Sequence, residues 1–279
     1  MDARFGTAGA PAPSPAASTN VVGTGPPGLV LHGGLGIDHT LYQETLTPLE
    51  QRLRLVYLDH RGNGRSGRPP RDTITIEQLA DDSAALARQL GDERVVVLGH
   101  SYGGFVAQEL ALRHPDVVAA LVLIDTTPGQ LGATEDPDDE QGPPPPPEVV
   151  ALLTTAPATN EALADGVRQL MPHYLHRREP AELAVVLDAT IFDAAAMVRG
   201  FEVLASWSSV ERLSAISAPT LVVAGRHDVF TSWPQARRIT SRIAGAHLVI
   251  FEDSGHMPWL DEPDRFFDVV NGWLDEVLA

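Results

Sequence analysis

A serine, a carboxylate and a histidine can cleave an acyl bond if they meet. The hydroxyl attacks, the imidazole takes its proton, and the carboxylate stabilises the imidazolium that forms. Ser101, Asp228 and His256 are such a set, each placed shortly after an apolar run. Ser101 is the centre of Gly99-His100-Ser101-Tyr102-Gly103, a G-x-S-x-G pattern. Val95 to Leu98 reads as a buried strand, and the Ala- and Leu-rich run from Phe105 to Arg113 reads as a helix, so the serine stands at the apex of a strand-to-helix turn. The glycines relieve crowding where the two backbones approach. The transition state also needs donors for its oxyanion. Tyr102 N–H, at the start of the helix, is one; the loop His32-Gly33-Gly34-Leu35-Gly36 supplies the second, with Gly34 N–H favoured and Leu35 N–H next. Each such donor is worth about 2.7 to 4 kcal/mol in the transition state.

These residues need a frame that brings them to one place. Strands are expected at Leu29 to Leu31, Leu55 to Leu58, Val95 to Leu98, Val118 to Ile124, Thr220 to Ala224 and His247 to Phe251. Helical spacing runs over Leu41 to Leu53, Ile76 to Leu90 (closed by Gly91), about Pro234 to Ile243, and Pro263 to about Val277. Alternating strands and helices predict a parallel sheet covered on both faces, with ligands at the carboxyl ends of the strands. Residues 1 to 20 read as a disordered leader, with order starting near Val21. Residues 21 to 127 and 214 to 279 form the predicted core domain. Residues 128 to 213 lack a strand pattern and read as an inserted helical lid, with Met197, Phe201, Leu204 and Trp207 along one apolar stripe.

Composition narrows the partners. The 279 residues carry 37 acids against 20 bases, a formal net charge of −17, which excludes nucleic acid and anionic membrane as partners. There is no cysteine, so disulfides and thiolate chemistry are excluded. No apolar run approaches the roughly 18 residues of a membrane span, no secretory signal is visible, and a cytoplasmic protein is expected. No cofactor fingerprint is present: the turn Asp59 to Gly67 lacks the Lys-Ser/Thr of a phosphate loop and reads as structural. His173 and His176 lack a third ligand at metal spacing, so no metal is expected. His32 and His100 are expected to pack and hydrogen-bond within their turns, and the acids at 135 to 140 to form a solvated loop.

Together, His32-Gly33-Gly34, Asp59-His60-Arg61-Gly62-Asn63-Gly64-Arg65-Ser66, Gly99 to Gly104, Gly225-Arg226-His227-Asp228 and Gly255-His256 resemble the α/β-hydrolase superfamily, from about residue 21 to the end. Within it they are similar to the proline iminopeptidase, esterase and lactonase branch. The resemblance implies a mostly parallel sheet, a lid after the sixth family strand, and the chain order serine, acid, histidine. It also leaves Asp125 open as an alternative acid, one strand earlier. Three departures stand out: two antiparallel strands usual before the HG loop are not evident, Leu35 replaces a proline, and the lid has no Trp-rich segment with an adjoining Glu to bind a substrate amine.

The expected function is therefore cofactor-independent hydrolysis of a carboxylic ester or lactone through an acyl-enzyme on Ser101. Leu35, Trp207, Phe230 and Met257 are expected around the acyl group, with Trp233 and Trp259 nearby. A proline-releasing aminopeptidase is the alternative within the superfamily. A non-hydrolytic ligand receptor is the alternative of another class.

Overall fold

The structure is a computed structural model that describes residues 17–91, 94–129, 141–177 and 181–279. Seven strands form one sheet: β1 (Thr19–Val22), β2 (Pro27–Leu31), β3 (Arg54–Leu58), β4 (Val95–His100), β5 (Val118–Ile124), β6 (Thr220–Gly225) and β7 (His247–Phe251). Their order across the sheet is β1-β3-β2-β4-β5-β6-β7, and every pair is parallel except β1 with β3. β1 corrects the expectation of order near Val21, because pairing with Leu58 begins at Thr19. Such a half-exposed edge strand lacks a continuous apolar run and is held by ladder hydrogen bonds instead. The first 16 residues of the predicted leader and the acids at 135 to 140 lie outside the described residues.

The helices are α1 (Thr40–Thr45), α2 (Ile76–Gln89), α3 (Tyr102–Arg113), α4 (Pro147–Thr154), α5 (Asn160–Tyr174), α6 (Ala181–Ala189), α7 (Ala194–Leu204), α8 (Trp233–Thr240), α9 (Pro258–Asp261) and α10 (Pro263–Val277). The single helix expected over Leu41 to Leu53 is broken in two. Pro48 cannot donate to a preceding carbonyl, so α1 ends and a short 3-10 helix, Thr47–Gln51, takes over. α2 matches its expected span, with the Thr75 hydroxyl accepting from Gln78 N at 3.1 Å and Gly91 at φ 79° just beyond its end.

Alternation along the strands sorts the core into two layers. Leu29, Leu31, Val97, Leu121, Leu123 and Val222 pack against α2, α3 and α8. Val30, Val96, Leu98, Val122, Leu221 and Val223 face α1, α9 and α10 on the other side. Strands buried on both faces read as continuous apolar runs, which is why the sequence displays them so plainly. Helices α4 to α7 occupy the connection between β5 and β6, and no strand occurs there among the described residues. Their far end is tied to α3: buried Glu109 accepts from Arg212 Nη1 and Nη2 at 3.0 and 2.8 Å and from Trp207 Nε1 at 3.1 Å.

Candidate active site

Ser101 sits between β4 and α3 at φ 50°, ψ −117°, a left-handed backbone conformation that few residues other than glycine adopt. Such strain costs of order 1 to 3 kcal/mol and persists only when the surroundings impose it. Here they do. Ser101 N donates to Ile124 O at 3.0 Å, and Ser101 O accepts from Gly104 N and Thr126 Oγ1, both at 2.9 Å. The crowding inferred from the motif is present: a Cβ at Gly99 would stand 2.6 Å from that of Ala107, and one at Gly103 would overlap the Leu31 carbonyl. The turn thus pushes the Ser101 side chain into the cavity above the sheet edge.

His256 follows β7 and Asp228 follows β6, so adjacent parallel strands deliver both to the same edge. His256 Nδ1 is 2.8 Å from Asp228 Oδ2, and the two side chains are 2% and 0% exposed. Asp228 also accepts from Phe230 N at 2.7 Å, Thr231 N at 3.2 Å and Thr231 Oγ1 at 2.6 Å. Burial alone would raise its pKa, but the His256 charge and these hydrogen bonds hold it below the ordinary carboxylate range. An ionised Asp228 favours a proton on Nδ1, which leaves Nε2 as the ring nitrogen that could accept one. Of the two acids that the sequence leaves open, Asp228 is the one at hydrogen-bond distance from the imidazole. Asp125 Oδ1 instead accepts from Gly225 N at 2.8 Å.

The sequence reading missed a relay that connects the three loops. Gly33 N donates to Tyr42 Oη at 2.7 Å, so that hydroxyl donates onward to His100 Nδ1, also at 2.7 Å. His100 Nε2 in turn donates to the His256 carbonyl at 2.8 Å. His100 is neutral in this arrangement, because burial and then the nearby His256 push its pKa well down. His100 and His32 therefore bond within and between the turns as expected; His32 Nδ1 lies 3.0 Å from Gly33 O. Tyr42 carried no motif signal, since a tyrosine in an amphipathic helix reads as core. Tyr42→Phe is expected to leave Gly33 N–H and His100 Nδ1 unpaired, costing about 1 to 3 kcal/mol of stability. Urea unfolding of the variant measures this, and an unchanged midpoint would show that the relay contributes nothing.

Gly33 N is thus engaged, whereas Gly34, Leu35 and Tyr102 all line the cavity beside Ser101. Gly34 takes φ 69°, a backbone conformation that favours glycine. The cavity encloses about 1000 Å³ including its mouth, between these loops and helices α4 to α7. Of the residues expected around it, Leu35, Phe230 and Met257 are present, joined from the helices by Leu163, Met197 and Phe201. Trp207 corrects the prediction: its indole is turned toward α3, bonded to Glu109 and edge-on to Phe105 at 5.3 Å. Trp233 and Trp259 are likewise in the core layers. Among the described lining residues there is no Asp, Glu, Lys or Arg.

The insertion also reaches this sheet edge directly. His256 N donates to Tyr174 O at 2.8 Å, and the rings of Tyr174 and Phe230 flank the imidazole at 5.3 and 5.1 Å. Tyr174 is the second residue that the sequence reading missed. His176 does not pair with His173; its ring stacks on His227 at 3.6 Å between centroids. The turn read as structural is so: Asp59 accepts from His39 N and Nδ1 and from Arg65 N, and these bonds outweigh burial to hold its pKa far below the usual range. No helix among the described residues is long and apolar enough to cross a membrane.

A seven-stranded sheet of this order, with a strained serine at the end of β4 and an acid and histidine after β6 and β7, is the arrangement of α/β hydrolases. The chain belongs to the α/β-hydrolase-fold family, whose model matches residues 26–263. It is 26% identical over 269 residues to a proline iminopeptidase of Saccharolobus solfataricus, covering 90% of this chain and 85% of that one. Among solved structures it is similar to the enol-lactonase of Burkholderia xenovorans LB400 (28% identity, TM-score 0.74, 93% and 96% of the two chains). It is also similar to a thermophilic esterase of Thermogutta terrifontis (26% identity, TM-score 0.73, 94% of each chain).

Proposed function

We propose that the protein is a serine hydrolase that cleaves a carboxylic ester or lactone with an apolar, uncharged acyl part. The observation that carries this reading is the cavity: Ser101 and His256 open into a space walled by aliphatic and aromatic side chains with no ionised group among the described lining residues. In the proposed reaction His256 Nε2 takes the Ser101 proton as Oγ attacks the carbonyl carbon. Asp228 holds Nδ1–H and stabilises the imidazolium. The oxyanion is received by Gly34 N–H and Tyr102 N–H. Collapse breaks the bond to the leaving alkoxide, which takes the proton from Nε2; water then repeats the sequence on the acyl-enzyme and frees Ser101. Helices α4 to α7, within residues 128 to 213, serve as the lid that excludes water and shapes acyl preference.

The same machinery would serve an aminopeptidase, and the Saccharolobus relative keeps that reading in view. An N-terminal ammonium would need a buried carboxylate facing the substrate, and the described cavity lining offers none. Labelling with a serine-directed phosphonate, competed in parallel by aliphatic acyl esters, aliphatic lactones and prolyl amides, tests the choice. Protection is expected from the esters or lactones at concentrations where prolyl amides give none. Protection by prolyl amides alone would overturn it, and failure to label Ser101 would favour the receptor class.

A further inference from the structure

The proposed reaction uses one carboxylate, yet two lie buried behind His256. Asp125 follows β5 at φ 41° and is 0% exposed. One oxygen of Asp125, one of Asp228 and a ring nitrogen of His256 lie within 4.8 Å of one another. The two acids differ in how many donors they receive. Asp228 accepts four hydrogen bonds, from Phe230 N, Thr231 N, Thr231 Oγ1 and His256 Nδ1, a donor set that suits an ionised carboxylate. Asp125 accepts one, from Gly225 N on Oδ1; its Oδ2 is buried and receives no donor among the described residues. Two carboxylate charges this close and out of water repel strongly, so the acid with fewer donors is the one that keeps its proton. The donors decide which acid ionises.

We propose that Asp125 is a positioning residue that stays protonated beside Asp228 and His256, so that the imidazole faces a single carboxylate charge. This rests on the assignment of Ser101, Asp228 and His256 as nucleophile, acid and base. A second charge would bind the proton of His256 more firmly and leave less of it as free base at neutral pH. Burial is the leading cause that raises the Asp125 pKa well above the ordinary range; the Asp228 charge and a hydrogen bond to the Asp228 side chain add to it. The other groups that face the cluster do not reverse this balance. Asp261 is held by the amides of His176, Arg177 and Gly255, and His100 is neutral. The Tyr174 phenol is pushed up to about 12 by burial and the Asp228 charge, so it stays uncharged.

The sign of the resulting pH dependence is fixed. A carboxyl whose folded pKa is raised binds a proton that the unfolded chain releases above about pH 4, so its stabilising contribution is complete below that pH and declines as pH rises toward the folded value. Asp125→Asn keeps the shape and tolerates a left-handed backbone, but has no proton to lose. Its folding constant relative to wild type is therefore expected to grow between pH 5 and 8, by up to tenfold per pH unit, in urea unfolding followed at each pH. The acidic limb of kcat/KM on an aliphatic acyl ester is expected to stay where it is in wild type. A stability ratio independent of pH, or an acidic limb displaced downward by about one unit, would mean that Asp125 is ionised and would overturn the proposal. Should Asp125→Asn fail to fold, Asp125→Gly, suited to the same backbone, carries the unfolding measurement. Wild-type protein without Ser101-dependent turnover would sink the hydrolase reading, while the unfolding arm would still decide where the proton resides.

Discussion

Ser101→Ala is expected to lower turnover of esters and lactones by about 10⁴- to 10⁶-fold, with the fold intact. The loss is large because the hydroxyl is the only proposed route to an acyl-enzyme; what remains is the help that oxyanion donors and binding give to direct attack by water. The fold should survive because the bonds that hold the strained turn run through the Ser101 backbone, to Ile124 O, Gly104 N and Thr126 Oγ1. Alanine keeps those bonds and adds no atom to the crowded side. Steady-state kinetics with circular dichroism as the control measures both halves, and wild-type turnover in the variant would end the assignment.

Asp228→Asn should cost about 10⁴-fold in kcat with KM little changed. The hydrogen bonds say why. Two backbone amides, Phe230 N and Thr231 N, bind Oδ1 and would fix the asparagine carbonyl there. The amide NH₂ then falls in the place of Oδ2, 2.8 Å from His256 Nδ1, and donates to it. His256 must then carry its proton on Nε2, the wrong tautomer for a base. Phosphonate labelling of Ser101 should slow in parallel. A loss below tenfold would move the acid role away from Asp228, with Asp125 next in line.

The protonated neighbour and the ionised acid have a common origin in the sheet. β5 and β6 are parallel neighbours, so the residues just after each, Asp125 and those following Gly225, emerge at the same edge. The Gly225 amide is given to Asp125, and the turn beyond it curls its own amides around Asp228. One strand end thus supplies few donors and the next supplies many. That imbalance separates two chemically identical side chains.

Much of this was legible in the residues. The six strands β2 to β7, the elbow around Ser101, the chain order of Ser101, Asp228 and His256, and the loop at Gly34 are signalled locally. Buried parallel strands must be apolar throughout, and a strand that turns at once into a helix must be built of glycine around the serine. Local crowding and burial act within a few residues, so sequence alone determined them.

The tertiary structure decided what depends on distant partners. β1 has no apolar run and exists because β3 offers it a ladder. Trp207 shares a stripe with Met197, Phe201 and Leu204, but buried Glu109 draws its indole toward α3 and out of the cavity. That Asp228 rather than Asp125 lies at hydrogen-bond distance from His256 depends on how neighbouring strand ends place their side chains. Tyr42 and Tyr174 joined the site through bonds to residues 58 and 82 positions away, which no periodicity encodes. A side chain's direction and its partner are set by packing across the whole sheet edge, and there the local pattern stops being informative.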